Sequence, residues 1–203
     1  AMGLVARGIR PVVLGDRSDR TGDNTLVLRE LIDRGAKNIG HSVVADPEAV
    51  KEIEKAGLGS TVTVTAGGWA PASGEPLKLT GKVVFLGNGD YTRTGPKDTG
   101  TRAVCGQTAV LDAGNGNYVI LTALNHQCQD DAGFRSYGID FDKLDIIVVK
   151  SRVHFRAYFE QVAGAIIEVD APGLGPADLT VFDYMSVPGD LYPVGKNWFK
   201  ERH

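Results

Sequence analysis

Lys150-Ser151-Arg152-Val153-His154-Phe155-Arg156 brings a lysine, a serine, a histidine and an arginine within seven positions, directly after the apolar run Ile146-Ile147-Val148. A strand ending in such a run and leading into a helix would present these side chains at the ligand crevice of an open α/β sheet. Free backbone N–H groups and the positive end of the helix dipole would lie beside them. The chemistry this suits is the binding of an anionic or carbonyl-bearing group. The same residues also admit a plain structural reading, in which Ser151 caps the helix, Lys150 is solvated and His154 packs half-buried. Residue types alone leave both open.

A second set of charged side chains, Asp16, Asp19 and Asp23, falls at intervals of three and four in a polar stretch. It lacks the alternating ligands and closing glutamate of an EF-hand loop, so calcium is discounted. Pairing of these acids with Arg17 and Arg20, and capping of a following helix, would account for them, and is preferred for Asp23. Asp16, at the end of an apolar run, is the better functional candidate. The four histidines show no His-x-x-x-His spacing and Cys105 and Cys128 no Cys-x-x-Cys, so no metal site is expected in this chain. No Gly-x-Ser-x-Gly elbow exposes Ser151, and Cys128 two residues from His126 is weak geometry for a nucleophilic pair.

The elements that would position these residues repeat a pattern. Val12-Val13-Leu14, ended by Gly15, leads through Asp16–Thr25 to a helix with Leu28, Leu31 and Ile32 inward, capped by Asp23 or Asn24 and ended by Gly35. Asn38–Ala45 reads as a strand. Asp46-Pro47-Glu48 then opens a second helix with a cap, a first-turn proline and an acid at the dipole, and Gly57 ends it. The Lys150 region is the third such junction, and Ala165–Asp170 a further strand. Between them Thr61-Val62-Thr63-Val64-Thr65 alternates as a strand with one wet face does. Leu77–Leu86 continues in that style, and Asn115-Gly116-Asn117 sits between Thr108–Leu111 and Tyr118–Thr122 as in a hairpin. The fold expected is mixed α/β: strand-loop-helix units with an inserted antiparallel β section, in one domain over 1–203. Loops 67–76, with Trp69 exposed, and 87–106 are read as surface excursions before lids. Asp130–Tyr137 suggests a short helix, and Trp198 and Phe199 are expected to dock on the body.

With 203 residues, 42% hydrophobic and 23% charged, the chain suits a soluble globular protein. A net charge of -3 with no basic stripe argues against nucleic acid or an anionic membrane surface as partners. No run approaches the ~18 apolar residues of a membrane span. No signal-peptide pattern is present and the two cysteines read as free thiols, so a cytoplasmic location is expected.

Three segments resemble, in order and spacing, the C-terminal domain of the MlrC-like proteins, relatives of microcystinase C proposed to be zinc metallopeptidases. They are Gly15–Asp23, Val44–Val50 and Val148–Ala157, and Ile167–Gly173 also matches. Lys-Ser-x-x-His-Phe-Arg is the most specific part. The first loop departs from the commonest family form, which is richer in glycine. The resemblance implies a zinc-binding N-terminal domain outside this chain, so that this domain would contact a small peptide or amide substrate and have little activity alone. It maps His154 to a catalytic role, orienting or protonating the reacting amide. Asp16, Asp19, Lys150, Ser151 and Arg156 map to substrate binding, with Lys150 and the helix start holding a substrate carboxylate. The alternative is a non-catalytic module that binds a small anion or serves as a scaffold.

Overall fold

The computed structural model describes residues 1–195. Its helices are α1 (Met2–Ala6), α2 (Leu26–Asp33), α3 (Pro47–Ala56), α4 (Ala132–Arg135) and α5 (Arg156–Val162). Its strands are β1 (Val12–Asp16), β2 (Ile39–Ala45), β3 (Thr61–Ala66), β4 (Leu77–Asn88), β5 (Tyr91–Thr92), β6 (Arg102–Ala103), β7 (Gln107–Asp112), β8 (Tyr118–Thr122), β9 (Ile146–Lys150) and β10 (Ala165–Val169). Eight strands form one sheet in the order β10-β1-β9-β2-β8-β7-β4-β3, and β5 pairs only with β6. The mixed α/β fold is therefore as the sequence indicates, with the antiparallel section β3, β4 and β7 continuing the parallel sheet through the β7–β8 hairpin.

From β10 to β8 the pairing is parallel, and β1, β2 and β9 are buried along their whole length. That explains their near-continuous apolar runs, because both faces of a parallel sheet are covered. Val12, Leu14, Ile146 and Val148 pack on one side with Leu31 of α2, while Val13, Ile147 and Val149 pack on the other with Phe155 and Phe159. Each such side chain contributes roughly 1.5–3 kcal/mol on full burial, far more than the propensity differences that would favour other local structures. On the first side α3 adds Val50 and Ile53 against Leu111 and Leu121.

Asp46 caps α3 as expected, its Oδ1 accepting from Glu48 N and Ala49 N at 3.1 and 2.9 Å. At α2 the N-cap is Thr25, and the Asn24 side chain accepts from Leu26 N. Asp23, expected as a possible cap there, accepts instead from Trp69 N and Ala70 N, 2.9 and 3.0 Å away, and so pins the loop that follows β3.

Gly15 does not end β1, which runs on to Asp16. A Cβ at Gly15 would lie 2.5 Å from Phe155 Cζ, so glycine is there to admit that ring. The 87–106 loop is partly ordered into the β5–β6 hairpin. Asp90 accepts from the backbone N–H groups of Cys105 and Gly106, and Asp130 from those of Thr94 and Gly95. Trp198 and Phe199 lie outside the described residues. Among the described residues no helix is long and apolar enough to cross a membrane.

Candidate functional site

The connection leaving β1 passes through α2 on one side of the sheet toward β2. The connection leaving β9 passes through α5 on the other side toward β10. Neighbouring strands whose connections diverge in this way open a crevice at their carboxyl ends. Asp16 and Lys150 are register partners at the last residues of β1 and β9, and so stand at its base.

Lys150 is 1% exposed, not solvated. Its Nζ lies 2.9 Å from Asp16 Oδ2, 3.0 Å from Asp19 Oδ2 and 2.7 Å from the carbonyl oxygen of Asn24. An ammonium has three protons, and three acceptors surround this one. Asp16 and Asp19 are themselves fully buried, so each charge has lost its hydration at a cost of several kcal/mol. Two carboxylates on one ammonium leave an excess negative charge. Backbone donors meet it: Ser18 N at 3.4 Å on Asp16, and Asp23 N and Asn24 N at 3.2 and 2.7 Å on Asp19. The acids thus bind Lys150, while Arg17 pairs with Glu168. The polar stretch between β1 and α2 is folded inward around this lysine.

His41 of β2 adds to the same buried region. Both its ring nitrogens lack a hydrogen-bond partner among the described residues. Burial, and after it the charge of Lys150, hold its pKa well below the usual histidine value, so the ring is neutral beside the ammonium.

Beyond Lys150 the chain turns through Ser151–Phe155, and α5 begins only at Arg156, with Phe155 as N-cap and no side-chain cap. Ser151 is therefore neither the cap nor the first residue of that helix, and the helix start expected beside it is one turn away. The turn arises because Phe155 inserts into the core against Gly15 before a helix can form. Ser151 is buried, whereas His154 is exposed rather than half-buried. Arg156 forms surface ion pairs with Glu160 and Glu168, at 2.7 and 2.6 Å, and its guanidinium lies 5.6 Å from the centre of the Phe155 ring.

Ser151 and His154 line one small pocket of about 190 Å³ with Arg20, Gln127, Arg152 and Val153. Loops from the ends of β1, β8 and β9 converge there. With its amide oxygen toward Arg20, Gln127 accepts from Nε and Nη2 at 2.7 and 2.8 Å. Its amide nitrogen then faces Ser151 Oγ, 3.5 Å away. Next along the loops after β1 and β8, Thr21, Ala123 and Asn125 line a second opening of about 440 Å³ with Pro47 and the exposed Trp69. The structure thus divides the expected residues: Asp16, Asp19 and Lys150 meet in the interior, Ser151 and His154 meet at the pocket, and Arg156 meets neither group.

Arg20 and Gln127 carried no sequence signal. Arg20 looked like a partner for the neighbouring acids, and Gln127 joins the pocket only because β8 lies two strands from β9. The thiols contribute no nucleophile, since burial raises Cys105 to about 11 and Cys128 to about 12, leaving both protonated at neutral pH. His126 near Cys128 is pushed down to about 4, by burial first and then by Arg93.

Among the described residues no three His, Cys, Asp or Glu side chains come together as metal ligands. The donor set of the described residues therefore does not fit a zinc ion, since a catalytic zinc needs about three protein ligands.

Residues 20–186 match the family model described as the MlrC C-terminus. Asp16 and Asp19 lie just ahead of that match. The chain is similar to microcystinase C of Sphingomonas sp., with 31% identity over 166 residues, covering 78% of this chain and 32% of that protein. It is also similar to the crystal structure of a proposed metallopeptidase from Mesorhizobium sp. BNC1, with a TM-score of 0.82 and 29% identity over 94% of this chain and 39% of that one. The chain thus spans about a third of the length of these relatives.

Proposed function

The chain belongs to the MlrC C-terminus family, and from that premise we propose that it is the substrate-contacting domain of a zinc-dependent peptidase or amidohydrolase cleaving small linear peptides or amides. The observation that carries this reading is the pocket at the carboxyl ends of β1, β8 and β9, open to solvent and walled by Ser151 and His154. Zinc ligands would come from an N-terminal domain of the longer protein, which is the partner this domain would face. In the wall of the pocket His154 is free to donate a proton to, or orient, the amide being cleaved. Ser151 would donate to a substrate oxygen, and the Trp69 opening would take an adjoining apolar side chain. Asp16, Asp19 and Lys150 fix the loop that carries Arg20, and Arg156 holds α5 to the edge of the sheet through Glu168. A cytoplasmic location accords with two free thiols.

One feature favours the scaffolding alternative. Between 179 and 192 the side chains of Val181, Phe182, Met185 and Tyr192 stand 46–89% exposed, a run of apolar groups unusual on a solitary surface. A neighbouring domain packed on that arm would explain it, with or without catalysis at the pocket.

Hydrolysis of a panel of short linear peptides separates the two. The longer protein loaded with zinc is expected to cleave them and this chain alone is not. His154→Ala in the longer protein is expected to lower kcat by about 10²–10⁴-fold. Zinc-dependent cleavage by this chain alone, or unchanged turnover in the His154 variant, would defeat the catalytic reading.

A further inference from the structure

We propose that the pocket between the β1, β8 and β9 loops is a recognition site for a single carboxylate, with Arg20 its anion-binding and specificity-determining residue. The inference deepens the substrate reading above by naming the group that the site selects.

The argument begins with charge. Arg17 is paired with Glu168 and Asp170, and Arg156 with Glu160 and Glu168. Arg20 and Arg152, which line the pocket, have no carboxylate within ion-pair distance among the described residues. Arg152 spends its Nε on the carbonyl of Arg17 and its Nη2 on those of Gly175 and Pro176, so its guanidinium is held in place with only Nη1 left over. Arg20 differs. A guanidinium has five N–H donors, and Gln127 engages Nε and Nη2, which leaves the rest of the fork uncommitted. Gln127 also restricts the rotation of that long side chain, so less ordering remains to be done when a ligand arrives. Ser151 places a hydroxyl in the same pocket, and it is itself 1% exposed, with Gln127 at 3.5 Å as its polar neighbour.

One free guanidinium edge with one hydroxyl suits the two oxygens of a carboxylate, since the guanidinium fork matches that planar group by paired hydrogen bonds. A dianion is disfavoured. Asp16 and Asp19 outnumber Lys150 in charge behind the same loop, and among the described residues the other guanidinium lining the pocket, that of Arg152, has its Nε and Nη2 committed to carbonyls. The carboxylate Asp98, close enough to His154 to be felt electrostatically, is engaged by Lys97 at 2.5 Å and leaves Arg20 untouched. Ligands would therefore be short peptides or amides with a free carboxylate, and the terminal carboxylate of a small linear peptide is the simplest.

The test uses this chain and three probes: trialanine, trialanine amide and inorganic phosphate, titrated while backbone NMR shifts of residues 18–21, 125–128 and 151–155 are followed. Trialanine is expected to bind at least about tenfold more tightly than its amide, the scale set by one charge-assisted pair. Arg20→Gln should abolish that difference with the melting temperature unchanged, because the side chain is exposed, and Arg20→Lys should restore part of it. Equal binding of acid and amide, no binding of trialanine at millimolar concentration, or binding of phosphate alone would overturn the proposal. Kinetics of the longer protein keep the two readings apart. If it cleaves peptide acids and amides with the same KM, carboxylate recognition fails while the hydrolase reading stands; if it cleaves nothing, the hydrolase reading fails and the titration still decides this site.

Discussion

Lys150 illustrates how a residue's place at a strand end can be read from sequence while its exposure is not. Its type and position at a strand end were plain from the sequence, but whether it pointed outward was not. A one-residue shift in register sends every side chain of a strand to the opposite face. Here Lys150 shares a face with Val148, Ile146 and His41, and it is buried. The acids were legible as a cluster and illegible as its partners, because Asp16 and Asp19 come from more than 130 positions away. Breaking such a set is costly, since the remaining charges stay buried without a counterion. Lys150→Met keeps the stem and removes the ammonium. It is expected to lower unfolding free energy by about 3–5 kcal/mol, read from urea midpoints at neutral pH. A loss under about 1 kcal/mol would mean that water reaches Asp16 and Asp19 and that the ion pairs do not hold the loop.

At the scale of elements, the periodic segments were legible in outline. The alternation of Thr61–Thr65, the Asn115-Gly116-Asn117 turn and the Asp46-Pro47-Glu48 helix start each correspond to a local rule that tertiary packing does not overrule. The junction after β9 was not legible, because its form depends on a contact between distant segments. Phe155 fills the space over Gly15 and makes a turn of what the sequence suggests is a helix start. Gly15→Ala would put a Cβ within 2.8 Å of two ring atoms of Phe155. The neighbouring strand gives the ring little room, so a loss of about 1–3 kcal/mol is expected from overpacking. The Ser151–His154 turn should move with the ring, and its NMR shifts should change accordingly. Adding Phe155→Leu should recover part of the Gly15→Ala loss, while each change alone destabilises. Strict additivity of the two losses would show that the contact does not set the turn.

For the whole molecule, the order of strands decides which residues meet, and no local pattern encodes it. Arg20, Gln127 and His154 are joined only because β1, β9 and β8 send their carboxyl ends to one rim. The same burial that builds this rim makes the molecule sensitive to acid. His41 lies in the α2 side of the structure and His126 by Tyr91 near the other core, so both halves carry a buried neutral imidazole. The folded pKa of each is below the ordinary value of about 6.5, that of His126 at about 4. Above 6.5 neither state binds the proton and nothing is lost. As pH falls below 6.5 the unfolded chain takes up protons that the folded chain refuses, so stability declines until the folded pKa is reached. For His126 the window runs from about 6.5 to about 4. Each histidine contributes a slope of at most about 1.4 kcal/mol per pH unit. The carboxylates with lowered pKa, such as Asp90 and Glu168, begin to lose stability only near and below their ordinary values, so between pH 6 and 5 the histidines dominate. Urea midpoints at pH 7, 6 and 5 should therefore fall across the series, and His126→Gln should flatten the fall by about half. An unchanged slope in that variant would place the acid sensitivity elsewhere. With both His126 and His41 replaced by Gln the slope between pH 6 and 5 should nearly vanish, because the imidazole that would otherwise charge beside Lys150 is gone.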